Sequence, residues 1–195
     1  NKREDVFSGT PDSWYARFQI LRCSADKDRA MMIIDVSVAF MHAEAEDHIV
    51  CKGPSGIVQA NPTGYWRLKK ALNGTRKASQ SFQKFSCESL VSWGFKQNDH
   101  NAAVFYNALT DVSVEEHGDD FLVDGPREEL LVLQKKFHEA FVIKKINMLS
   151  IADADDKEGW FLHRKITVGE LGWTEELDTR YAESLVKTLG LENGK

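Results

Sequence analysis

The chain has 195 residues, of which 42% are hydrophobic and 28% charged. This composition excludes disordered and collagen-like proteins and suits one globular domain that can bury a core. The longest apolar runs, such as residues 31–34 and 121–123, are far shorter than the roughly 18 residues that a membrane span needs, which argues against a membrane protein. Cys23, Cys51 and Cys87 form no CxxC pair. Reduced thiols are therefore expected, and with them an intracellular location, cytoplasmic or nuclear.

The charge is distributed unevenly along the chain. The formal net charge of −5 by itself argues against a nucleic-acid partner. Residues 66–96, however, hold seven basic side chains and one acid, whereas residues 111–130 hold eight acids and one base. A basic stripe beside an acidic cluster suits an enzyme that binds a polyanion and holds divalent cations. Two solvated faces of opposite sign would give the same pattern.

Hydrophobic periodicity and turn residues predict alternating helices and strands. In chain order we expect a helix over residues 13–24, a strand over 31–35, a helix or turn over 39–46, a loop over 53–64, a helix over 77–93 that Gly94 stops, strands over 103–106, 112–114 and 121–123, a helix over 127–141, a strand at 142–143, and a last helix capped by Asp178 or Thr179 and stopped by Gly190. The order has no strict βαβ rhythm and no repeat, which predicts an α+β fold.

Three carboxylates stand out in this scheme. Asp35 ends an apolar strand, and Asp119 with Asp120 lies at the tip of a predicted hairpin. Neighbouring carboxylates repel one another, and a hard cation such as Mg²⁺ relieves that repulsion. If Asp35 lies on the adjacent strand, the three side chains can hold two metal ions for phosphoryl chemistry. Gly-Asp-Asp is also a good turn sequence, so a purely structural role remains an alternative.

The order of several motifs resembles a known family. DVSVAFMH begins at Asp35, WRLKKALNGTRKASQ at Trp66, and HGDDFLVDG at His117. Together with WGF at Trp93 and FLHR at Phe161, they resemble the reverse transcriptases of copia-type retrotransposons, in a divergent His-Gly-Asp-Asp branch. The resemblance extends in order over nearly the whole chain.

This resemblance implies one reverse-transcriptase-like domain over residues 1–195. Its fold would be a polymerase palm, an antiparallel sheet backed by helices, with part of the fingers. The first fingers hairpin, the thumb and the RNase H region would lie outside the chain, which begins at Asn1. The implied activity is RNA-directed DNA synthesis within a retrotransposon polyprotein, with Mg²⁺ or Mn²⁺ as cofactor. The implied partners are an RNA or DNA template with its primer, dNTPs, and the rest of a polyprotein or a larger assembly.

The resemblance also assigns roles to the three carboxylates and to one aromatic ring. Asp35, Asp119 and Asp120 match the catalytic metal ligands. Phe40 matches the aromatic residue under the incoming sugar, where a ring collides with a 2′-hydroxyl and favours deoxynucleotides. A buried core phenylalanine is the alternative for Phe40.

The second motif supplies the remaining expected contacts. Asn73 and Gly74 match the nucleotide pocket, where glycine lets backbone approach a base closely. Arg76 and Lys77 match contacts to the nucleic-acid phosphates. A helix start with solvated basic side chains is the structural alternative.

Several positions depart from the family pattern. Glu115 and Glu116 replace apolar residues before the hairpin and add negative charge there. Asn73 replaces a usual Tyr, Phe82 a common Trp, and Asp124 a small or apolar residue. Glu115 and Glu116, the missing fingers hairpin and the net charge of −5 favour a second hypothesis, a catalytically decayed or domesticated palm that acts as a scaffold in a larger assembly. The intact Asp35, Asp119, Asp120 and Phe40 favour the enzyme.

Overall fold

The computed structural model describes residues 9–12, 14–45, 48–53, 63–177 and 179–191. Within them the chain forms four α-helices, one 3₁₀ helix and eleven strands. In chain order these are α1 (Trp14–Ala25), β1 (Arg29–Val36), the 3₁₀ helix (Ala39–His42), β2 (Val50–Lys52), β3 (Tyr65–Arg67), α2 (Ala78–Ser92), β4 (Lys96–Gln97), β5 (Val104–Asn107), β6 (Val112–His117), β7 (Asp120–Pro126), α3 (Arg127–Ala140), β8 (Ile143–Leu149), β9 (Glu158–Phe161), β10 (Arg164–Gly169), β11 (Gly172–Leu177) and α4 (Arg180–Thr188).

A six-stranded antiparallel sheet forms the centre of the fold, with the strand order β4-β5-β6-β7-β1-β8. β1 lies inside this sheet, between β7 and β8. Seven of the eight residues of β1 are buried, as its continuous apolar run requires in a strand covered on both faces. Two smaller antiparallel sheets, β11-β10-β9 and β2-β3, complete the described strands. The fold is therefore α+β with antiparallel sheets, as expected.

Helices α2 and α3 cover one face of the central sheet. Side chains of β1 and β7 alternate between the two faces, so Ile34 and Phe121 share this face. The rings of Phe121 and Phe137 pack edge to face with centroids 5.3 Å apart. The other buried side chains of this cluster include Met32, Phe82, Leu90, Val114, Val123 and Leu130.

Helix α1 and the sheet of β9, β10 and β11 cover the opposite face. Ile33 and Leu122 lie opposite each other on β1 and β7. They pack with Ile20 of α1 and with Phe161 and Ile166. Asp35 and Asp120 also lie opposite each other, two residues further along the same strands. The two carboxylates therefore share this second face, at the end of the sheet.

The four predicted helices are confirmed, with small shifts at their ends. Helix α2 ends before Gly94 in a Schellman motif, in which the Phe95 N–H donates to the Leu90 carbonyl and the Gly94 N–H to that of Val91. Residues 39–46 were predicted as helix or turn, and the 3₁₀ helix occupies Ala39–His42. Of the two predicted caps of the last helix, Thr179 is the N-cap residue of α4, without a side-chain capping bond. Asp178 and most of the predicted loop, residues 54–62, lie outside the described residues.

The sequence prediction was incomplete for the strands. β6 and β7 are longer than the predicted ranges 112–114 and 121–123, and they include Glu116 and Asp124, respectively. Six strands were not predicted, because short strands with polar side chains give no clear alternation: β2, β3, β4, β9, β10 and β11. Among the described residues, no helix is both long enough and apolar enough to cross a bilayer.

Candidate active site

Three aspartates meet at one end of the central sheet. Asp35 is the penultimate residue of β1 and lies directly opposite Asp120, the first residue of β7. Directly opposed side chains in an antiparallel pair point to the same face, with Cβ atoms about 5 Å apart. The Val36 N–H donates to the Asp119 carbonyl oxygen at 2.9 Å. The tip of the hairpin is therefore fixed to the end of β1, which is the condition that the metal hypothesis set.

A two-residue turn presents Asp119 at the tip. β6 ends at His117 and β7 begins at Asp120, so only Gly118 and Asp119 form the turn. Gly118 has a φ of +66°, a left-handed value that a glycine adopts without strain at the first position of such turns. The turn leaves the Asp119 side chain exposed next to Asp120.

The electrostatics of this sheet end favour a bound cation. The pKa of Asp120 is raised to about 6, first by burial and then by the negative charges of Asp119 and Asp35, while Lys144 and His163 act in the opposite direction. A cation between the carboxylates would relieve this repulsion. Carboxylate oxygens are also the donors that Mg²⁺ prefers, so the residue types fit a magnesium or manganese site.

Lys144 already contacts one of the three carboxylates. The β1–β8 pairing shifts register between Asp35, which faces Lys145, and Val36, which faces Ile143. Lys144 is thus the extra residue of a β-bulge, and bulges re-aim side chains. Its Nζ donates to Asp35 Oδ2 at 2.7 Å. The hydrogen bond and the charge of Asp35 raise the pKa of Lys144.

Lys144 carries no recognisable signal in the sequence. It lies in a run of two lysines, Lys144 and Lys145, in which nothing marks either side chain as a partner of Asp35. Within the part of the chain that the structure describes, no group of three or more His, Cys, Asp or Glu side chains is arranged to hold a metal ion. The metal role of Asp35, Asp119 and Asp120 stays a prediction.

Phe40 lies on the 3₁₀ helix that follows Asp35. Its ring packs edge to face on Phe82 of α2 at a centroid distance of 6.2 Å, and it is half-buried. Val38, just before this helix, has a φ of 46°, a strained value for a β-branched residue. Strain of this kind is concentrated at functional sites. The ring is held by its contacts and remains partly exposed.

The four predicted contacts of the second motif lie just before and at the start of α2. Asn73, Gly74 and Arg76 are exposed and Lys77 is half-buried. Gly74 has a φ of +86°, a backbone conformation that favours glycine. No neighbouring atom lies within 4 Å of the position that a Cβ would take, so the space beside Gly74 is open.

This segment is tied to the residues that follow Phe40. The Ala71 N–H donates to the Ala43 carbonyl at 3.0 Å, and Ala43, Ala71 and Ala78 form a small buried cluster against Phe40 and Phe85. The structure thus brings the segment of Phe40 and the segment of Asn73 to Lys77 together. Their roles in binding nucleotide and nucleic acid remain predictions.

The expected negative charge of Glu115 and Glu116 is not available to the site. Alternation along β6 points the two side chains to opposite faces. Their residues are only 3% and 1% exposed, respectively. Burial raises the pKa of each carboxyl to about 8, so both are mostly neutral at pH 7. The Ser86 hydroxyl donates to Glu116 Oε1 at 2.6 Å.

Asp124 has a structural explanation that the sequence did not reveal. It is fully buried and accepts hydrogen bonds from Ser113 and, at 2.7 Å, from Arg29 Nη2. Asp111 bonds the same guanidinium and that of Arg22. Asp124 is therefore the buried member of a partly exposed ionic network that joins α1, β1 and the β6–β7 hairpin.

Comparison with solved structures gives distant similarities. Apo telomerase from Candida tropicalis is 11% identical, with a TM-score of 0.48 over 83% of this chain and 35% of that one. Telomerase from Candida albicans in complex with a TWJ fragment of telomeric RNA is 9% identical, with a TM-score of 0.46 over 85% of this chain and 34% of that one. The chain therefore spans about a third of the length of these telomerases.

No match was found among curated protein sequences. The reverse transcriptase (RNA-dependent DNA polymerase) family matches residues 4–189, nearly the whole chain. This match confirms the resemblance drawn from the motifs. The chain belongs to the reverse transcriptase (RNA-dependent DNA polymerase) family.

Proposed function

We propose that this domain extends a DNA primer on an RNA template. The observation that carries the proposal is the pairing of Asp35 with Asp120, together with the hydrogen bond that fixes Asp119 beside Val36. This arrangement gathers three carboxylates at one exposed end of the sheet. Asp35, Asp119 and Asp120 would hold Mg²⁺ or Mn²⁺.

The reaction would be nucleotidyl transfer. The primer 3′-oxygen forms a bond to the α-phosphorus of a dNTP, the bond from that phosphorus to the bridging oxygen breaks, and pyrophosphate leaves with the 3′-hydroxyl proton lost to solvent. Asp35, Asp119 and Asp120 would hold the divalent cations, which would lower the pKa of the attacking hydroxyl and neutralise charge on the leaving group.

The other predicted residues would select and hold the substrates. The half-buried ring of Phe40, which packs on Phe82, would exclude a 2′-hydroxyl from the sugar position. Asn73 and Gly74 would border the nucleotide, and Arg76 and Lys77 would contact phosphates of the template and primer. Replacing Phe40 by Ala should therefore raise incorporation of ribonucleotides relative to dNTPs.

A dTTP incorporation assay on poly(rA)/oligo(dT), run beside a thermal melt, tests the proposal. Wild type should incorporate dTTP only with Mg²⁺ or Mn²⁺. Metal at a hundredfold excess over Kd should stabilise the fold by about 2.7 kcal/mol. Asp119→Asn, at an exposed turn position, should lose both effects. Asp153→Asn, an exposed acid in the β8–β9 connection at the far end of the sheet, is the matched control and should keep them.

The scaffold hypothesis keeps one observation in its favour. Lys144 donates a hydrogen bond to Asp35 Oδ2, so part of the negative charge at this end of the sheet is balanced without a metal. Under this hypothesis wild type and Asp119→Asn are equally inactive, even in a longer chain that includes the neighbouring polymerase regions. Metal-dependent incorporation by wild type would exclude it.

A further inference from the structure

His42 occupies a position between the two parts of the candidate site. It ends the 3₁₀ helix that carries Phe40. Its ring is stacked on Phe85 of α2, with centroids 6.0 Å apart and planes 18° apart. It also packs against Phe141, just before β8, at 5.6 Å. Contacts on two sides fix the orientation of the imidazole.

The fixed ring places its Nε2 at a junction of two backbone segments. The Val142 N–H donates to His42 Nε2 at 3.3 Å, and the Ser37 carbonyl oxygen lies 3.3 Å from the same atom. A neutral imidazole nitrogen either donates or accepts. A protonated Nε2 would donate to Ser37, whereas an unprotonated Nε2 accepts from Val142, and only this second form, with the proton on Nδ1, links the ring to Val142.

The bond to Val142 lies next to the bulge that directs Lys144. The Ser37 N–H donates to the Val142 carbonyl at 2.8 Å, so Val142 is held through both of its polar backbone groups. Two residues later, Lys144 bonds Asp35. Two hydrogen bonds thus join residues 35–37 to residues 142–144, and the His42 side chain adds a third bond at Val142.

We propose that His42 is a positioning residue of the carboxylate site. Its imidazole ties the start of β8, and with it Lys144, to the turn that joins Asp35 to Phe40. His42 touches neither substrate nor metal in this role. The expected consequence for nucleotide use rests on the proposed function, whereas the structural link does not.

Amide hydrogen exchange and histidine NMR on the full chain test the link without any activity. At a pH where the ring is neutral, the ¹⁵N signals of wild-type His42 should place the proton on Nδ1 and not on Nε2. His42→Phe keeps the ring stacking and removes the acceptor, so exchange at Val142 should accelerate about tenfold, as for a lost hydrogen bond. His42→Gln places an amide oxygen near the Nε2 position and should restore protection. His138→Phe, at an exposed position on α3, is the matched control and should change nothing.

Kinetics then separate positioning from simple structural support. His42→Phe should raise KM for dTTP about tenfold with a smaller effect on kcat, and His42→Gln should recover most of the loss. A wild-type ring protonated on Nε2, unchanged Val142 exchange in His42→Phe, or an unchanged KM in an active His42→Phe enzyme would each overturn the proposal. If wild type incorporates no dTTP, the proposed function fails, while the tautomer and exchange results still decide whether His42 holds β8.

Discussion

Replacing Glu116 by Gln should stabilise the protein in a pH-dependent manner. Glu116 is 1% exposed, and its carboxyl has one hydrogen-bond partner, Ser86. Its Oε2 has no partner among the described residues. Burial raises the pKa of this carboxyl from 4.5 to about 8. In the unfolded chain the same group ionises at its ordinary pKa, so unfolding between these pH values releases a proton.

The sign and the magnitude follow from this difference. Because the folded pKa is the higher one, the contribution of Glu116 to stability is fully present below about pH 4.5 and is lost as the pH rises to about 8. Each pH unit in this window costs about 1.4 kcal/mol of unfolding free energy, which amounts to roughly 3 kcal/mol at pH 7. Glutamine is nearly isosteric, accepts the Ser86 bond and cannot ionise. Glu116→Gln should therefore match wild type near pH 5 and exceed it by about 2–3 kcal/mol at pH 7.

Urea unfolding followed by tryptophan fluorescence at pH 5, 6, 7 and 8 measures the effect. The free energy of unfolding of wild type should fall more steeply with pH than that of Glu116→Gln, by about one proton. Histidine titrations contribute equally to both proteins and cancel in the difference. Glu88→Gln, an exposed position on α2, is the matched control. Equal pH slopes for wild type and Glu116→Gln would show that Glu116 is ionised in the folded protein and would refute the reasoning.

Three further predictions concern other parts of the structure. Asp124→Ala removes one of the two carboxylates that bond the buried Arg29 guanidinium, while Asp111 remains, and should lower the free energy of unfolding by about 1–3 kcal/mol in urea denaturation. Lys144→Gln removes a cation beside Asp35 and should tighten Mn²⁺ binding severalfold in a calorimetric titration. Arg76→Ala combined with Lys77→Ala should weaken binding to a primer–template and reduce the steepness of its salt dependence in fluorescence anisotropy.

Each of these predictions has its own control or contrary result. An Asp124→Ala protein with the same free energy of unfolding as wild type would mean that the bond between Asp124 and Arg29 does not stabilise the fold. Lys135→Gln, at an exposed position on α3, should leave Mn²⁺ affinity unchanged; weaker Mn²⁺ binding in Lys144→Gln would mean that Lys144 supports the metal. An affinity for primer–template that is insensitive to salt would place the contact surface away from Arg76 and Lys77.

Local chemistry explains why the sequence predicted the helices and the hairpin. Helical spacing of apolar residues and a stop at Gly94 are local signals, and α2 ends where they indicate. Gly-Asp-Asp likewise specifies a tight turn, and Gly118 has the positive φ that such a turn requires. The apolar run before Asp35 similarly predicts a buried strand that ends in a carboxylate. These features depend on neighbours within a few residues.

Long-range burial explains what the sequence did not reveal. The sequence suggests that Glu115 and Glu116 are surface charges. The strands and helices packed around β6 instead bury both carboxyl groups, which are therefore mostly protonated at neutral pH. The sequence offers no reason for an acid at Asp124, because its partner Arg29 is far away along the chain. No local pattern specifies which distant groups surround a side chain, and those groups decide its charge.

The sequence by itself determined that this chain carries the motifs of a reverse transcriptase, in order, with an aspartate after an apolar strand and two at a turn. It determined this because turn chemistry, strand alternation and motif order are written in consecutive residues. Only the tertiary structure decided that Asp35 faces Asp120 and that a bulge brings Lys144 onto Asp35. Strand register and bulges are set by packing on both faces of the sheet, where a shift of one residue would exchange the buried and exposed sides.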